Sequence, residues 1–471
     1  MAESLKKSIF KGTLILTIAG IGARILGFYN RIFLNQLIGE RELGLYQMVL
    51  PLYMVMFGFA CQGIQTALTR QIARIPEEDY KKKHMLLHLA LMISVPTAVL
   101  MSIVLYREAG GISLHILHSI ECARSLRILA FAFPFVCIEG CMTGYFIGES
   151  DTGITAISQM IEQVAKILGV YLIAAYGIQS KHQAYIAVYG IVIGEVAASA
   201  LLCLHYRIHF YKLSHIRGTK QSFRNQRSIR FTLFKELIKD GIPLTANRLS
   251  LTLLQSLESI LIPHMLNLFY QNGDSALILY GTLSGLVLPC IMFPTTFTNS
   301  LSLTLLPAIS AQYESHNHKV LKRLIKKSLI LCLGIGLIST VYLLFFGKWT
   351  GKVILSSDTA GELLFRFALL CPWIYLSSTL ASILNGIGKA AVNMLHTILC
   401  SGIRIGFILL LVPHIGLKGY MWGMLAGYLI QTTMMAVTIY HSLSLSSGLD
   451  PDSISITGSD SDSIPDSVVS S

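Results

Sequence analysis

The chain has 471 residues, 53% of them hydrophobic and only 13% charged, with a mean hydropathy of +0.62. An ordinary soluble domain carries roughly 25% charged residues, so a chain this long and this poor in charge cannot cover a soluble surface and suits a bilayer. The formal net charge of +12 would fit nucleic acid, but the basic residues lie in short patches between apolar spans, which argues against that partner.

A transmembrane helix needs roughly 20 mostly apolar residues. Windows of that size predict twelve spans. In chain order they lie at about 9–35, 45–67, 85–106, 125–148, 154–176, 185–206, 242–263, 277–301, 328–347, 363–386, 391–412 and 418–441. Lys6, Lys7 and Lys11 precede an apolar run as they would in a signal peptide. The apolar run continues past Leu26 without a small-residue cleavage site, so it is expected to be a retained helix. The nine cysteines include no CxxC and mostly fall inside spans, where cysteine acts as a small hydrophobe. Neither a disulfide framework nor a metal site is expected.

With the N-terminus placed in the cytoplasm, 23 of the 37 Lys and Arg fall in cytoplasmic segments and seven outside. That bias predicts an even number of helices with both termini inside. The expected class is an all-α integral membrane protein. Residues 1–206 read as an N-terminal six-helix bundle, 207–240 as a basic cytoplasmic linker and 241–441 as a C-terminal six-helix bundle. Residues 442–471 read as a disordered Ser/Asp-rich cytoplasmic tail.

The halves repeat each other. Leu43-Gly44-Leu45-Tyr46 parallels Leu277-Ile278-Leu279-Tyr280 at an offset of 234, and Leu68-Thr69 parallels Leu303-Thr304 at 235. Pro134, Gly148 and Lys166 parallel Pro372, Gly386 and Arg404 at 238, and Gly190 and Gly194 parallel Gly423 and Gly427 at 233. Six helices per copy make the repeat parallel, related by an axis along the membrane normal. Two such bundles leave a central cavity, and rocking one against the other gives alternating access.

Charges inside spans are costly, at least ~2.5–3.5 kcal/mol on insertion scales, and usually face a cavity or a partner. Arg24 and Arg31 lie two helical turns apart on one face of the first helix, which Gly20 and Gly27 share. Two guanidinium groups in one cavity suit a diphosphate, because the Arg fork matches phosphate oxygens bidentately. The competing reading is an interfacial anchor, or a pair with Glu139 or Glu195. Arg248 in the seventh helix either completes a cationic cluster or sits at the interface. Glu258, ten residues on, either binds a coupling cation or proton or pairs with a basic neighbour. Glu162 and Lys166 are i,i+4 and can pair directly, and Arg404 is the repeat counterpart of Lys166. His84 and His88 are also i,i+4, but stand beside three lysines at a helix start, a poor setting for a metal.

At the first helix the sequence KGTLILTIAGIGARILGFYNRIFLNQLIGE, followed by LGLYQMVLPLY, resembles the stage V sporulation protein B family. That family belongs to the MOP superfamily, with the MATE exporters, the polysaccharide flippases and the lipid II flippases. The likeness is close over residues 8–75 and continuous to about 440. GIPLTANRLSLTLLQSLESILIP at 241–263 resembles the start of the family's second bundle, and Arg24, Gly27 and Arg31 are its most specific part. The resemblance implies twelve helices in two bundles around a V-shaped cavity. It also implies movement of an undecaprenyl-diphosphate-linked saccharide to the outer leaflet, with Arg24 and Arg31 on the diphosphate. Lipid II flippases have two further helices that hold the lipid tail, whereas no apolar span follows 441.

The expected function is therefore a flippase of a lipid II-like precursor or polysaccharide unit in the cytoplasmic membrane, not an enzyme. No cofactor is expected. Membrane potential, H+ and Na+ remain open as the driving force. The expected partners are the lipid-linked saccharide, membrane lipids and envelope-synthesis proteins. Two other readings stand beside it: a MATE-type organic-cation antiporter, which the arginines disfavour, and a non-transporting scaffold, which the repeat and the intramembrane charges disfavour.

Overall fold

The computed structural model describes residues 2–76, 79–176, 183–217, 226–315 and 318–447. All the regular structure among the described residues is helical. A bilayer core offers no water to satisfy open backbone groups, and a helix satisfies them within itself. Among the described residues, nine helices are long and apolar enough to cross a membrane, or ten when a pair bent by 49° counts as one span. One of the nine, Gly20–Arg74, has 55 residues. At 1.5 Å per residue it would reach about 80 Å, far beyond the ~30 Å hydrocarbon core. It is bent at Gly39, whose φ of 81° breaks the helix, so it makes two passes. Leu417–Ser447, a 31-residue helix, returns the chain once more.

The described residues thus form twelve helical segments: α1 (2–38), α2 (40–74), α3 (Tyr80–His115), α4 (122–148), α5 (Thr152–Ala175), α6 (Ala184–Arg217), α7 (Gln226–Tyr270), α8 (273–314), α9 (318–354), α10 (358–386), α11 (Ala390–Ile415) and α12 (Leu417–Ser447). The stretch 207–240, expected as a linker loop, is helix over 207–217 and 226–240. Charged residues end an apolar span, but they do not end a helix whose backbone bonds are already made. Residues 218–225 and the tail beyond 447 lie outside the described residues.

The repeat is built into the backbone. A proline inside a helix leaves the carbonyl four residues earlier without its N–H partner. Pro134 does this to Ala130, and the chain breaks there between Cys122–Ala130 and Phe133–Gly148. Ser102 of α3 donates its hydroxyl to the Ala130 carbonyl. Pro372 does the same to Ala368, and Thr340 of α9 donates to that carbonyl at 3.0 Å. All three pairs, Ser102/Thr340, Ala130/Ala368 and Pro134/Pro372, share the 238-residue offset.

Outside the bundle, Phe345, Ile338 and Leu410 are about 70% exposed or more. Such an exterior matches lipid rather than water. Within it, the two halves meet closely where the repeated motif touches its own copy. A Cβ on Gly44 would fall 2.3 Å from the Leu277 carbonyl oxygen, and one on Gly281 would fall 2.2 Å from that of Glu40. Only glycine lets α2 and α8 approach to this distance.

Candidate functional site, a cationic cavity between the halves

Arg24 and Arg31 stand on one face of α1, and that face opens on a cavity of about 610 Å³. Its walls come from α1, α2, α5, α6 and α8, so both halves contribute. Gly27 also lines it; a Cβ there would come 3.4 Å from Gln163 Oε1, so the small residue brings α1 and α5 together. Arg24 Nη1 donates to Thr296 Oγ1 at 3.2 Å. Arg31 Nη1 donates to the Ser284 carbonyl at 3.1 Å. Both acceptors are neutral, so neither guanidinium is cancelled by a carboxylate. Ser284 lies in a π turn, Leu283–Val287, in the middle of α8. Such wide turns loosen the helix ladder and recur at functional sites. Pro289, which has no N–H to offer, follows it.

Lys166 and Glu162 line the same cavity and are bonded to each other. Lys166 also lies 3.7 Å from Glu195, which accepts from the Tyr53 hydroxyl at 2.9 Å. The Lys166 charge is therefore matched locally, and the excess positive charge of the cavity is that of Arg24 and Arg31. In a region of low dielectric such charges act more strongly than in water. The arrangement suits a doubly charged anion with oxygens at two positions.

A second cavity of about 370 Å³ lies on the other side of Arg31, which lines both. Gln47, Thr252, Gln255, Ser256, Ser259 and Ser284 supply its polar wall.

The other expected site residues fall elsewhere. Arg248 is exposed and lines neither cavity. It sits one turn from Thr252, whose hydroxyl donates to the Arg248 carbonyl at 2.9 Å. It does not join the Arg24–Arg31 pair, because its place on α7 lies beyond the cavity wall. Glu258 and Arg404 come together away from both cavities. Arg404 Nη2 donates to Glu258 Oε2 at 3.1 Å, and Tyr420 donates to Oε1 at 3.3 Å. Both residues are buried, and Arg404 also donates to Ser401. This closed set of bonds is that of a structural ion pair.

Lys166 and Arg404 do share one design. A Cβ on Gly194 would fall 2.6 Å from Lys166 Cγ, and one on Gly427 would fall 2.7 Å from Arg404 Cγ. Each cation passes through a glycine notch in the following helix.

One end of the cavity is shut. Arg41 Nε donates to Asp274 Oδ1 at 2.6 Å, and its Nη1 and Nη2 donate to Glu121 at 2.9 Å. Asn35 donates to the Leu355 carbonyl at 3.1 Å and Gln36 to the Ser356 hydroxyl at 2.9 Å. Arg41 therefore bridges the halves, a role not read from its sequence position in a loop. The neutral residues around Arg31 were also missed. Their signal is present: Thr252, Gln255, Ser256 and Ser259 recur at helical spacing within an apolar span.

The profile of the family described as polysaccharide biosynthesis protein matches residues 9–312, and the MatE profile matches 255–410. Stage V sporulation protein B of Bacillus subtilis (strain 168) is 28% identical over 454 residues, covering 94% of this chain and 85% of the relative. The lipid II flippase MurJ of the same organism is 22% identical over 411 residues, covering 82% and 74%. Among solved structures, the inward-facing conformation of a multidrug resistance MATE family transporter of the MOP superfamily superposes with a TM-score of 0.73 at 15% identity, covering 91% of this chain and 96% of that one. The outward-facing conformation of such a transporter gives 0.64, covering 94% and 97%. One of these relatives is named a flippase, and both superposed structures are transporters. The chain belongs to the polysaccharide biosynthesis protein family and shares the fold of MATE family transporters.

Proposed function

We propose that the protein flips a diphosphate-linked saccharide lipid across the cytoplasmic membrane by alternating access. The observation that carries this reading is the pair Arg24 and Arg31, aimed into one cavity between the halves and bonded only to neutral groups. The saccharide head lies in the cavity, and the lipid tail stays in the bilayer. The basic-residue bias assigns the end held by Arg41, Glu121 and Asp274 to the outer face and both termini to the cytoplasm. The cavity then loads from the cytoplasmic side, and the outer end opens when the Arg41 contacts break. A site for organic cations would need an excess of carboxylates, and this cavity has the opposite balance.

A leaflet-resolved accessibility assay in cells depleted of the protein tests the reading. Depletion should lower the fraction of lipid-linked saccharide reached by a membrane-impermeant reagent from outside. An unchanged outer-leaflet fraction, with loss of organic-cation export instead, would refute it.

A further inference from the structure

Two arginines far from the central cavity have no partner in the protein. Arg107 on α3 and Arg127 on α4 are exposed, and neither forms an ion pair or hydrogen bond among the described residues. The repeat shows what surrounds them. At the offset of 238, Arg107 corresponds to Phe345 and Arg127 to Phe365. The inward neighbours confirm the register: Leu105 and Leu343, Leu126 and Leu364, and Leu129 and Phe367 are all buried. Phe345 is 79% exposed and Phe365 45%, on a face of the second half that suits lipid. The first half therefore carries two cations where the second carries two outward rings. A charge facing lipid is costly unless an anion meets it.

Beside these arginines lies a crevice of about 290 Å³, walled by Ser102, Ile103, Tyr106, Arg107, Ala130 and Phe131. It forms where Pro134 breaks α4 and leaves Phe131 between the two helical pieces. Tyr106 and Phe131 meet edge to face with centroids 5.8 Å apart, and each is about half exposed. The Ser102 hydroxyl is already bonded to the Ala130 carbonyl, so the wall is apolar apart from Arg107 and the Tyr106 hydroxyl. No carboxylate lines it. Arg127 stands one helical turn before Phe131, on the same side of α4. The crevice lies toward the end held by Arg41 and Glu121, because α3 ends at His115 and α4 begins beside Glu121.

We infer that this crevice is a binding site for an anionic phospholipid. One acyl chain lies against Ile103, Tyr106 and Phe131, and the headgroup phosphate accepts from Arg107 and Arg127. The guanidinium fork matches phosphate oxygens, and long side chains reach the headgroup level while their stems stay in apolar surroundings. The charge balance decides the class of lipid: two cations and no carboxylate favour a headgroup with net negative charge over a zwitterionic one. The second half, with Phe345 and Phe365 at the same places, lacks the site. The inference does not depend on what the central cavity carries.

The test uses the full chain in detergent, titrated with phosphatidylglycerol or with phosphatidylcholine of the same acyl chains, and reads bound lipid by native mass spectrometry. The wild type should bind phosphatidylglycerol about tenfold more tightly, as hydrogen bonds to charged groups allow. Arg107→Phe/Arg127→Phe, which copies the second half and so keeps residues that this fold already accepts, should abolish the preference. Arg107→Lys should keep only part of it, because the charge survives without the fork. A phosphatidylglycerol with a photoactivatable acyl chain should cross-link to the peptides holding Ile103 and Phe131. Equal binding of the two lipids by the wild type, a preference retained in the double phenylalanine variant, or cross-links only elsewhere would overturn the site. A lysine variant as selective as the wild type would reduce Arg107 to an interfacial anchor and overturn it too.

Discussion

Arg31 Nη1 stands 3.1 Å from the main-chain carbonyl of Ser284, a residue 253 positions later in the chain. The contact joins α1 of the first half to the π turn of the second, at the point where the two cavities meet. A lysine keeps the charge but cannot hold both this carbonyl and a phosphate oxygen in a fixed fork. Arg31→Ala should reduce transport by roughly tenfold or more, given the strength of charge-assisted bonds. Arg31→Lys should keep an intermediate rate, with membrane levels of both variants unchanged by immunoblot. Equal rates for Lys and Arg would show that charge alone is used.

The shut end supplies a mechanical prediction. Gln36 and Ser356 touch across the halves at 2.9 Å. A Gln36→Cys/Ser356→Cys protein should cross-link on oxidation, stop transport, and recover on reduction. Transport by the cross-linked protein would mean that this end does not open. In the same region, Gly44→Ala places a methyl group against the Leu277 carbonyl. It should weaken closure, read as faster labelling of a cysteine placed at Ser284.

Glu258 and Arg404 form a buried pair whose bonds are closed among themselves. Removing one partner of such a pair strands the other and costs about 3–5 kcal/mol. Glu258→Leu and Arg404→Leu should each lower the unfolding midpoint in detergent sharply. The double variant should recover much of the loss and still transport. A double variant that is stable but inactive would instead place this pair in the coupling of transport to its driving force.

The glycine notches make a matched prediction in both halves. Gly194→Ala and Gly427→Ala each drive a methyl group into the stem of the neighbouring cation. Overpacking of this kind costs about 1–3 kcal/mol. Both variants should be less stable by similar amounts, measured by thermal unfolding; a neutral effect at one site would show that its cation has room to move.

The sequence carried much of this. Hydropathy windows predict twelve passes, and nine or ten of the described helices are apolar enough to cross a membrane. The offset of 238 predicts that Lys166 and Arg404 occupy like places, and the structure gives both a glycine notch. Arg24 and Arg31 were legible as one face because helical periodicity fixes their angle on a short segment. Arg248 was not, because which face of a 45-residue helix meets the cavity depends on packing against other helices. Arg41 reads as a loop charge until the fold brings Asp274 beside it, 233 residues away. The segment 207–240 reads as a loop because charge masks a helix that hydropathy windows cannot see.

The central claim is movement of a diphosphate-linked saccharide lipid through the Arg24–Arg31 cavity. Its most direct test is reconstitution of the purified protein in liposomes with a fluorescent polyprenyl diphosphate disaccharide. A membrane-impermeant quencher then reads the leaflet of the probe over time. The wild type should exchange the probe between leaflets, and Arg24→Ala with Arg31→Ala should abolish exchange while remaining folded and inserted. Exchange by the double variant at the wild-type rate would contradict the account.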